Sequence, residues 1–522
     1  MTAPRTGRSA GLVALGILCS RLAGLVRQRV IAHYFGLATD AADAWAAGFR
    51  IPNLLQNLFG EGALSASFIP VYASLVARGD RREAGRVAGA IGSLLALVVA
   101  ALVLVGVFAT AWLIDAIAPG FSGDRRAFTI TVVRILFPGA GLLVMSAWCL
   151  GILNSHHRFL LSYAAPVMWS AAMIGALLWF GGHTPLPRLV VILAWASVVG
   201  SALQLAVQLP VVLRVAPELR FAIDTTSMEV RTIVRNFFPA FFSRGVVQLS
   251  AYVDTLLASL LPIGAVAGLT NAQTLYTLPV SLFGISVSAA ELPTMATVAV
   301  TGTAGFENLR RRLDTGLRRI AFFVIPSAMA FLALGDVVAA ALLETGRFRH
   351  ADAVYVWAIL AGSAVGLLAS TLGRLYASTY YALRDTRTPL RYAIVRVALT
   401  TALGYVCAIP VPRLLGISAA WGAAGLTASA GVAGWIEMLL LRRALNARIG
   451  PTGLSTGYVV KLWTAAAIAA MAAWVVKLSI PPMHPALIAI LVLGPYGLMF
   501  CACSFALRIP EAQTALGRLR RQ

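Results

Sequence analysis

Apolar stretches of at least about 18 residues recur along the whole chain, each long enough to cross a hydrocarbon core of roughly 30 Å at 1.5 Å rise per residue. Lipid offers no water to satisfy backbone N–H and C=O groups, so such segments must be helices. This confines the fold to an all-α polytopic membrane protein. Composition excludes a soluble alternative: 59% of the 522 residues are hydrophobic and 12% charged, where a soluble domain carries about 25% charged residues.

The apolar pattern predicts fourteen helices, over 10–34, 41–76, 87–117, 128–154, 159–181, 188–213, 230–261, 266–300, 317–344, 352–382, 389–410, 414–441, 456–479 and 484–507. The second and eighth are too long for one straight span. Each contains residues where a helix bends or breaks: Pro52, Gly60 and Gly62 in the second, and Pro279, Gly284 and Pro293 in the eighth. Broken helices are common at transport sites. The first apolar segment follows Arg5 and Arg8 like a signal peptide, but it runs on past Arg21 and Arg27 without a small-residue cleavage site. It reads as an uncleaved first helix.

A formal net charge of +22 invites a nucleic-acid reading, which the distribution of that charge rejects. All basic residues except Lys461 and Lys477 are arginine, most of them in short clusters between apolar segments. Counted over alternate connections, 26 fall on one side and 7 on the other. Such alternation predicts an even number of spans with both termini cytoplasmic. It also supports the helix count, because one missed helix would invert every later loop.

No connection exceeds about 20 residues, so no appended soluble domain is expected. No GxxxxGK[ST] phosphate loop occurs, which leaves this chain without its own ATP hydrolysis. Cys19, Cys149, Cys407, Cys501 and Cys503 lie in apolar segments without CxxC spacing, and the six histidines do not pair with them. Neither a disulfide framework nor a metal site is indicated, and no catalytic constellation suggests an enzyme.

Arg21, Arg27, Arg29, Asp43, Arg50, Arg134, Arg244, Asp254, Glu291, Arg374, Arg396, Glu437 and Lys461 fall within the expected spans. A charge at the bilayer centre costs about 2.5–3.5 kcal/mol on insertion scales, so several must face a cavity or a partner. Arg134, Arg396, Glu437 and Lys461 lie near expected helix ends, where long side chains snorkel to the interface. Arg21 and Arg27 are deeper, and their spacing of about 240° net turns them toward different neighbours. Either they pair with Asp43 and other acids to hold helices together, or they line a cationic cavity for an anionic substrate, for which guanidinium is well suited. Asp254, in mid-helix, is either a site of cation coupling or proton relay, or a neutral or Arg-paired packing residue.

Three stretches carry a family likeness. The first is Ser20-Arg21-Leu-Ala-Gly24-Leu-Val-Arg27, followed by Tyr34-Phe35-Gly36 and Asp43-Ala-Trp45. The second is Phe49-Arg50-Ile-Pro52-Asn53-Leu-Leu, with Leu58-Phe59-Gly-Glu61-Gly62-Ala63-Leu-Ser65-Ala-Ser-Phe68-Ile-Pro70-Val71 after it. The third is Tyr380-Tyr381-Ala-Leu-Arg384-Asp385-Thr-Arg387-Thr388-Pro389. In order and spacing the chain resembles the MurJ/MviN family over nearly its whole length. The resemblance implies the fold of the multidrug/oligosaccharidyl-lipid/polysaccharide exporter superfamily, with two pseudo-symmetric six-helix lobes around a cationic cavity. On this chain they would be residues 1–215 and 216–450, with 451–522 supplying two further helices and a basic cytoplasmic tail.

The resemblance further implies a flippase of the cytoplasmic membrane. It would move lipid II, a disaccharide-pentapeptide on undecaprenyl pyrophosphate, to the outer leaflet by alternating access. Coupling would be to sodium ion, proton or membrane potential, and contact with membrane lipids and the cell-wall synthesis machinery follows. Arg21, Arg27, Asp43 and Arg374 match substrate-cavity positions, while Arg50 and Glu291 are additional cavity candidates and Asp254 is the ion-coupling candidate. The match is incomplete: Gln56 and Asn57 stand where an arginine pair is usual. Thr274 and Thr277 stand where the family places an arginine and a glutamate. Glu291 is an acid where an apolar residue is expected. Three readings stay open: a lipid II flippase with a rearranged charge set, an exporter of another polyprenyl-linked or amphiphilic substrate, or a non-transporting scaffold.

Overall fold

The computed structural model describes residues 6–59, 63–156, 158–224, 226–288, 291, 292, 295 and 303–513. Gly60, Glu61, Gly62, Pro293, Arg5 and the basic tail beyond residue 513 lie outside the described residues, as does the side chain of Arg244. The chain forms two compact units, one of residues 1–267 with 345–348, the other of 268–344 with 349–522. This division is by packing, whereas the lobe boundary expected at 215/216 divides by repeat.

The first unit contains α1 (Thr6–Phe35), α2 (Asp40–Asn57), α3 (Ala63–Ala77), α4 (Arg81–Phe108), α5 (Thr110–Ile117), α6 (Gly123–Ser155), α7 (Phe159–Ala164), α8 (Pro166–Phe180), α9 (Leu186–Val215) and α10 (Met228–Ser259). Helix α11 (Ala265–Pro279) opens at the end of this unit. The second unit continues through a π-helical turn (Val280–Ile285) to α12 (Thr303–Leu343), α13 (His350–Ala364), α14 (Leu367–Ala382), α15 (Arg387–Ala408), α16 (Pro410–Leu414), α17 (Gly422–Ile449), α18 (Thr456–Ser479) and α19 (Pro485–Ala506).

Each of the fourteen expected segments is mainly helical in its described residues, with turns or irregular backbone at positions that include 109, 165, 365–366 and 415–418. Among the described residues, nine helices are long and apolar enough to cross a membrane, or ten if the α13–α14 pair, bent by 43°, is one span. Fourteen spans are therefore not established by length and apolarity. The shortfall has a physical cause: α2 is 18 residues long and carries Asp40, Asp43 and Arg50, while the eighth segment breaks into α11 and a π turn. Of the positions where the second segment is expected to bend or break, Pro52 lies inside α2, and Gly60 and Gly62 lie outside the described residues between α2 and α3.

Local chemistry sets the helix starts. Thr39 caps α2 by accepting from the Ala42 N–H at 3.1 Å, Asp80 caps α4 by accepting from the Glu83 N–H at 3.2 Å, and Pro166 opens α8. In the first unit α6 packs on α9 through a buried polar cluster. Ser146 Oγ donates to Gln208 Oε1 at 2.6 Å and accepts from Gln204 Nε2 at 2.8 Å, the kind of interhelical hydrogen bonding that joins helices in lipid. Trp148, fully buried, donates its indole N–H to the Ala88 carbonyl at 3.1 Å.

The basic linker after α9 lies against α4. A methyl group added at Gly89 would overlap the Arg220 carbonyl, so only glycine lets the linker backbone approach this closely. Arg86 pins the linker through Asp224, with Nε donating at 2.6 Å. The Thr226 hydroxyl and amide N–H, helped by Arg86, hold the Asp224 carboxyl down to about 2.

In the second unit α12 leaves helical geometry at Leu334, where φ is −128°. Two tryptophan N–H groups serve three carbonyls around this kink: Trp357 is shared between Phe331 and Leu332, both at 3.1 Å, and Trp474 reaches Ala333 at 2.9 Å. Helices α15 and α17 are joined by an ion pair, Arg396 to Glu437 at 3.2 Å. Arg396 stands midway along α15, so the expected snorkelling of this pair is replaced by mutual neutralisation inside the bundle. Lys461, by contrast, is exposed and reaches the Leu507 carbonyl at 3.4 Å.

Candidate functional site

Asp43 sits in the first turn of α2, fully buried. One carboxylate oxygen accepts from the Ala267 N–H at 2.9 Å, and the other accepts from the Gly264 N–H at 2.9 Å and lies 3.3 Å from the Arg125 guanidinium. Gly264 has φ +96°, a conformation that favours glycine, and it presents its N–H to the carboxylate. Asp43 thus occupies the start of α11, where a negative charge also meets the positive end of the helix dipole. Its partner is Arg125, not Arg21 or Arg27.

Arg27 projects from α1 onto the face of Trp169 in α8, 4.5 Å from the ring centroid, with the Phe49 ring at 5.9 Å and Ser170 Oγ at 3.5 Å. Stacking on aromatic faces fixes a guanidinium while leaving its N–H edge open. No carboxylate pairs with Arg27 among the described residues. Arg21 is exposed and makes no hydrogen bond or ion pair among the described residues, so the two arginines do face different surroundings. Beside Trp169, residues Phe49, Asn53, Gln56, Ser197 and Ser201 help line a space of about 20 Å³. That is room for about one water molecule.

Arg50 donates to Thr255 Oγ1 at 2.5 Å, and its carbonyl accepts from the Tyr252 hydroxyl at 2.8 Å, which ties α2 to α10. Asp254 lies within electrostatic range of the same guanidinium. The ion-coupling candidate and the additional cavity arginine therefore belong to one cluster.

In the second unit Arg374 is exposed on α14 and makes no ion pair among the described residues. Tyr276, Arg396 and Glu437 surround it electrostatically, and the Tyr276 hydroxyl shares a 2.7 Å hydrogen bond with Ser370 Oγ. Glu291 pairs with Arg312 at 3.5 Å and Arg319 at 4.0 Å, which accounts for an acid at a position expected to be apolar. Thr274 and Thr277 bond their own helix, to the Thr270 carbonyl at 3.0 Å and the Gln273 carbonyl at 2.7 Å. The described residues contain no cluster of histidine, cysteine and acid able to hold a metal ion.

Sequence reasoning did not find Arg125, Trp169, Thr255 or the Tyr276–Ser370 pair. Trp169, an aromatic in an apolar segment, gave no signal, and Arg125 read as a loop cation. Their roles arise from helix pairing.

An all-helical chain with long apolar spans is, by class, a polytopic membrane protein. Comparison narrows the class: a family model described as lipid II flippase MurJ matches residues 31–497. The chain is 33% identical over 437 residues to a lipid II flippase MurJ of Burkholderia cenocepacia, covering 83% of this chain and 82% of that one. It is 31% identical over 433 residues to a probable lipid II flippase MurJ of Rhizobium meliloti, covering 81% and 77%. This chain belongs to the MurJ family. A solved structure of lipid II flippase MurJ in an inward closed conformation shares the fold, with a TM-score of 0.76, 20% identity, and coverage of 95% of this chain and 99% of that one. An inward-facing MATE family transporter of the MOP superfamily shares it with a TM-score of 0.66 at 17% identity, covering 82% and 95%.

Proposed function

We propose that this protein is a lipid II flippase, carrying the disaccharide-pentapeptide headgroup on undecaprenyl pyrophosphate from the inner to the outer leaflet of the cytoplasmic membrane. Both termini are cytoplasmic in this reading, as the 26-to-7 distribution of basic residues favours. Arg21 and Arg27 bind the pyrophosphate, and Arg374 is the substrate-binding cation of the second unit. The observation that carries the proposal is Arg27, a guanidinium held by Trp169 within an apolar bundle and without a carboxylate partner among the described residues. Asp43 changes role: with its oxygens engaged by Arg125 and two backbone N–H groups, it braces the site and does not touch substrate. Asp254, beside Arg50, links transport to a cation gradient or to membrane potential. Delivery of the flipped precursor to the cell-wall synthesis machinery completes the reading.

The test is complementation of a MurJ-depleted bacterium, paired with binding of a polyprenyl pyrophosphate lipid to purified protein. A charge-assisted hydrogen bond contributes roughly 1.5–3 kcal/mol, so Arg27→Ala should weaken binding by about tenfold or more at 1.4 kcal/mol per decade. Arg27→Lys should keep partial function, retaining charge without the fork. Normal binding and growth in the Arg21→Ala, Arg27→Ala double variant would remove the cationic mechanism and favour a different substrate or a scaffold role.

A further inference from the structure

A second polar site lies at the other end of the second unit from its basic segments. There the C-terminal end of α12, the start of α13 and the turn between α18 and α19 enclose a cavity of about 330 Å³. That volume falls in the range of small-molecule sites, far larger than a bare ion needs. Apolar groups such as Val337, Ile480, Met483 and Ile488 form much of its wall. Its polar groups are Asp336, Glu344, His350 and Lys477.

Asp336 follows the Leu334 kink and is 6% exposed. One of its oxygens binds Lys477 Nζ at 2.5 Å, and Lys477 in turn lies over the Trp474 ring, 4.6 Å from the centroid. The other oxygen, Oδ1, is buried and has no hydrogen-bond partner. Glu344 meets His350 Nδ1 at 3.0 Å through one oxygen. With a neutral histidine the lining carries two carboxylates against one ammonium. It therefore has an excess negative charge and an acceptor that lacks a donor, a combination that costs free energy unless a cation with N–H groups fills it.

We propose that this cavity binds a primary ammonium group on an organic body, donating to Asp336 Oδ1 and to the Glu344 carboxylate. The class that fits both the charge and the apolar wall is the headgroup of an aminophospholipid from the adjoining leaflet, which the basic-residue count makes the outer one. A free amine shares the chemistry. The three donors of an ammonium match two carboxylates better than a quaternary ammonium, which has none. This site is independent of the arginines assigned to substrate.

The experiment uses the full-length protein in detergent, titrated with phosphatidylethanolamine, phosphatidylcholine or phosphatidylglycerol and read by native mass spectrometry. Phosphatidylethanolamine should bind at least about tenfold more tightly than the other two. That preference should disappear in Glu344→Gln and in the Asp336→Asn, Lys477→Met double variant, which removes both partners of the buried pair and leaves no orphaned charge. Competition by ethanolamine would support the site as a receptor for the amine itself. Binding of phosphatidylethanolamine without such competition would support the lipid headgroup held by its chains. Equal affinity for the three lipids, or a preference that survives in both variants, overturns the proposal.

Discussion

Replacing Asp43 by alanine removes the acceptor for the Gly264 and Ala267 N–H groups and the partner of Arg125. Breaking a buried ion pair from one side costs about 3–5 kcal/mol, because the remaining charge is stranded. Two buried backbone donors at the start of α11 are stranded with it, at about 1–3 kcal/mol each before water enters. Site relaxation recovers part of this, so a net loss of about 4 kcal/mol is the working figure. Asp43→Asn keeps one acceptor and should cost roughly half. In thermal unfolding of detergent-purified protein, followed by size-exclusion fluorescence, the midpoints should fall in the order wild type, Asn, Ala. Adding Arg125→Ala to Asp43→Ala should recover part of the loss, since contacting residues couple by about 0.5–3 kcal/mol. The reasoning is refuted if Asp43→Ala leaves the midpoint unchanged while abolishing binding of a polyprenyl pyrophosphate lipid, the behaviour of a substrate ligand.

Two other outcomes follow from the linker and loops. Gly89→Ala should lower stability by about 1–3 kcal/mol, as overpacking does, by pushing the Arg220 carbonyl off α4, and limited proteolysis should then cut the linker at 216–227 faster than in wild type. Asp224 and Asp385 are both held down to about 2, the first chiefly by the Thr226 hydroxyl, the second chiefly by the Thr388 N–H. With folded values below the unfolded value of about 3.9, each favours the fold above pH 4 and loses that contribution as pH falls toward 2. The thermal midpoint should drop across that window, and the double variant Asp224→Asn, Asp385→Asn should flatten the drop.

The helical plan was legible because apolar length and the alternation of arginine both act along the chain, one residue at a time. Charge pairing was not legible, because spacing reveals which face of a helix a residue occupies but not what stands opposite. Asp43 looked like a deep cavity acid, and its backbone donors lie more than 200 residues further on, with Gly264 at a separation of 221. Arg396 and Glu437 looked like interface groups, yet each is the other's counter-ion across 41 residues. Glu291 seemed out of place until α12 brought Arg312 and Arg319 to it.

These pairings separate the membrane charges into two sets with different consequences. Asp43 with Arg125, Glu291 with Arg312 and Arg319, Arg396 with Glu437, and Asp336 with Lys477 are neutralised within the protein. Each can be understood as a fastening between helices. Arg21, Arg27 and Arg374 form no ion pair among the described residues, at a cost of about 2.5–3.5 kcal/mol each if central in the bilayer. Aromatic stacking offsets part of that cost at Arg27, and in the proposed function the pyrophosphate of the substrate supplies the remaining charge of the right sign. Arg134 shows why isolation alone is insufficient: it too is exposed on α6 and makes no hydrogen bond or ion pair among the described residues. What sets Arg27 apart is its support by Trp169, which fixes the guanidinium plane before any anion arrives. In the proposed function, a chain that carries Gln56, Thr274 and Thr277 where the family resemblance places charged groups depends the more on the guanidinium groups it does carry.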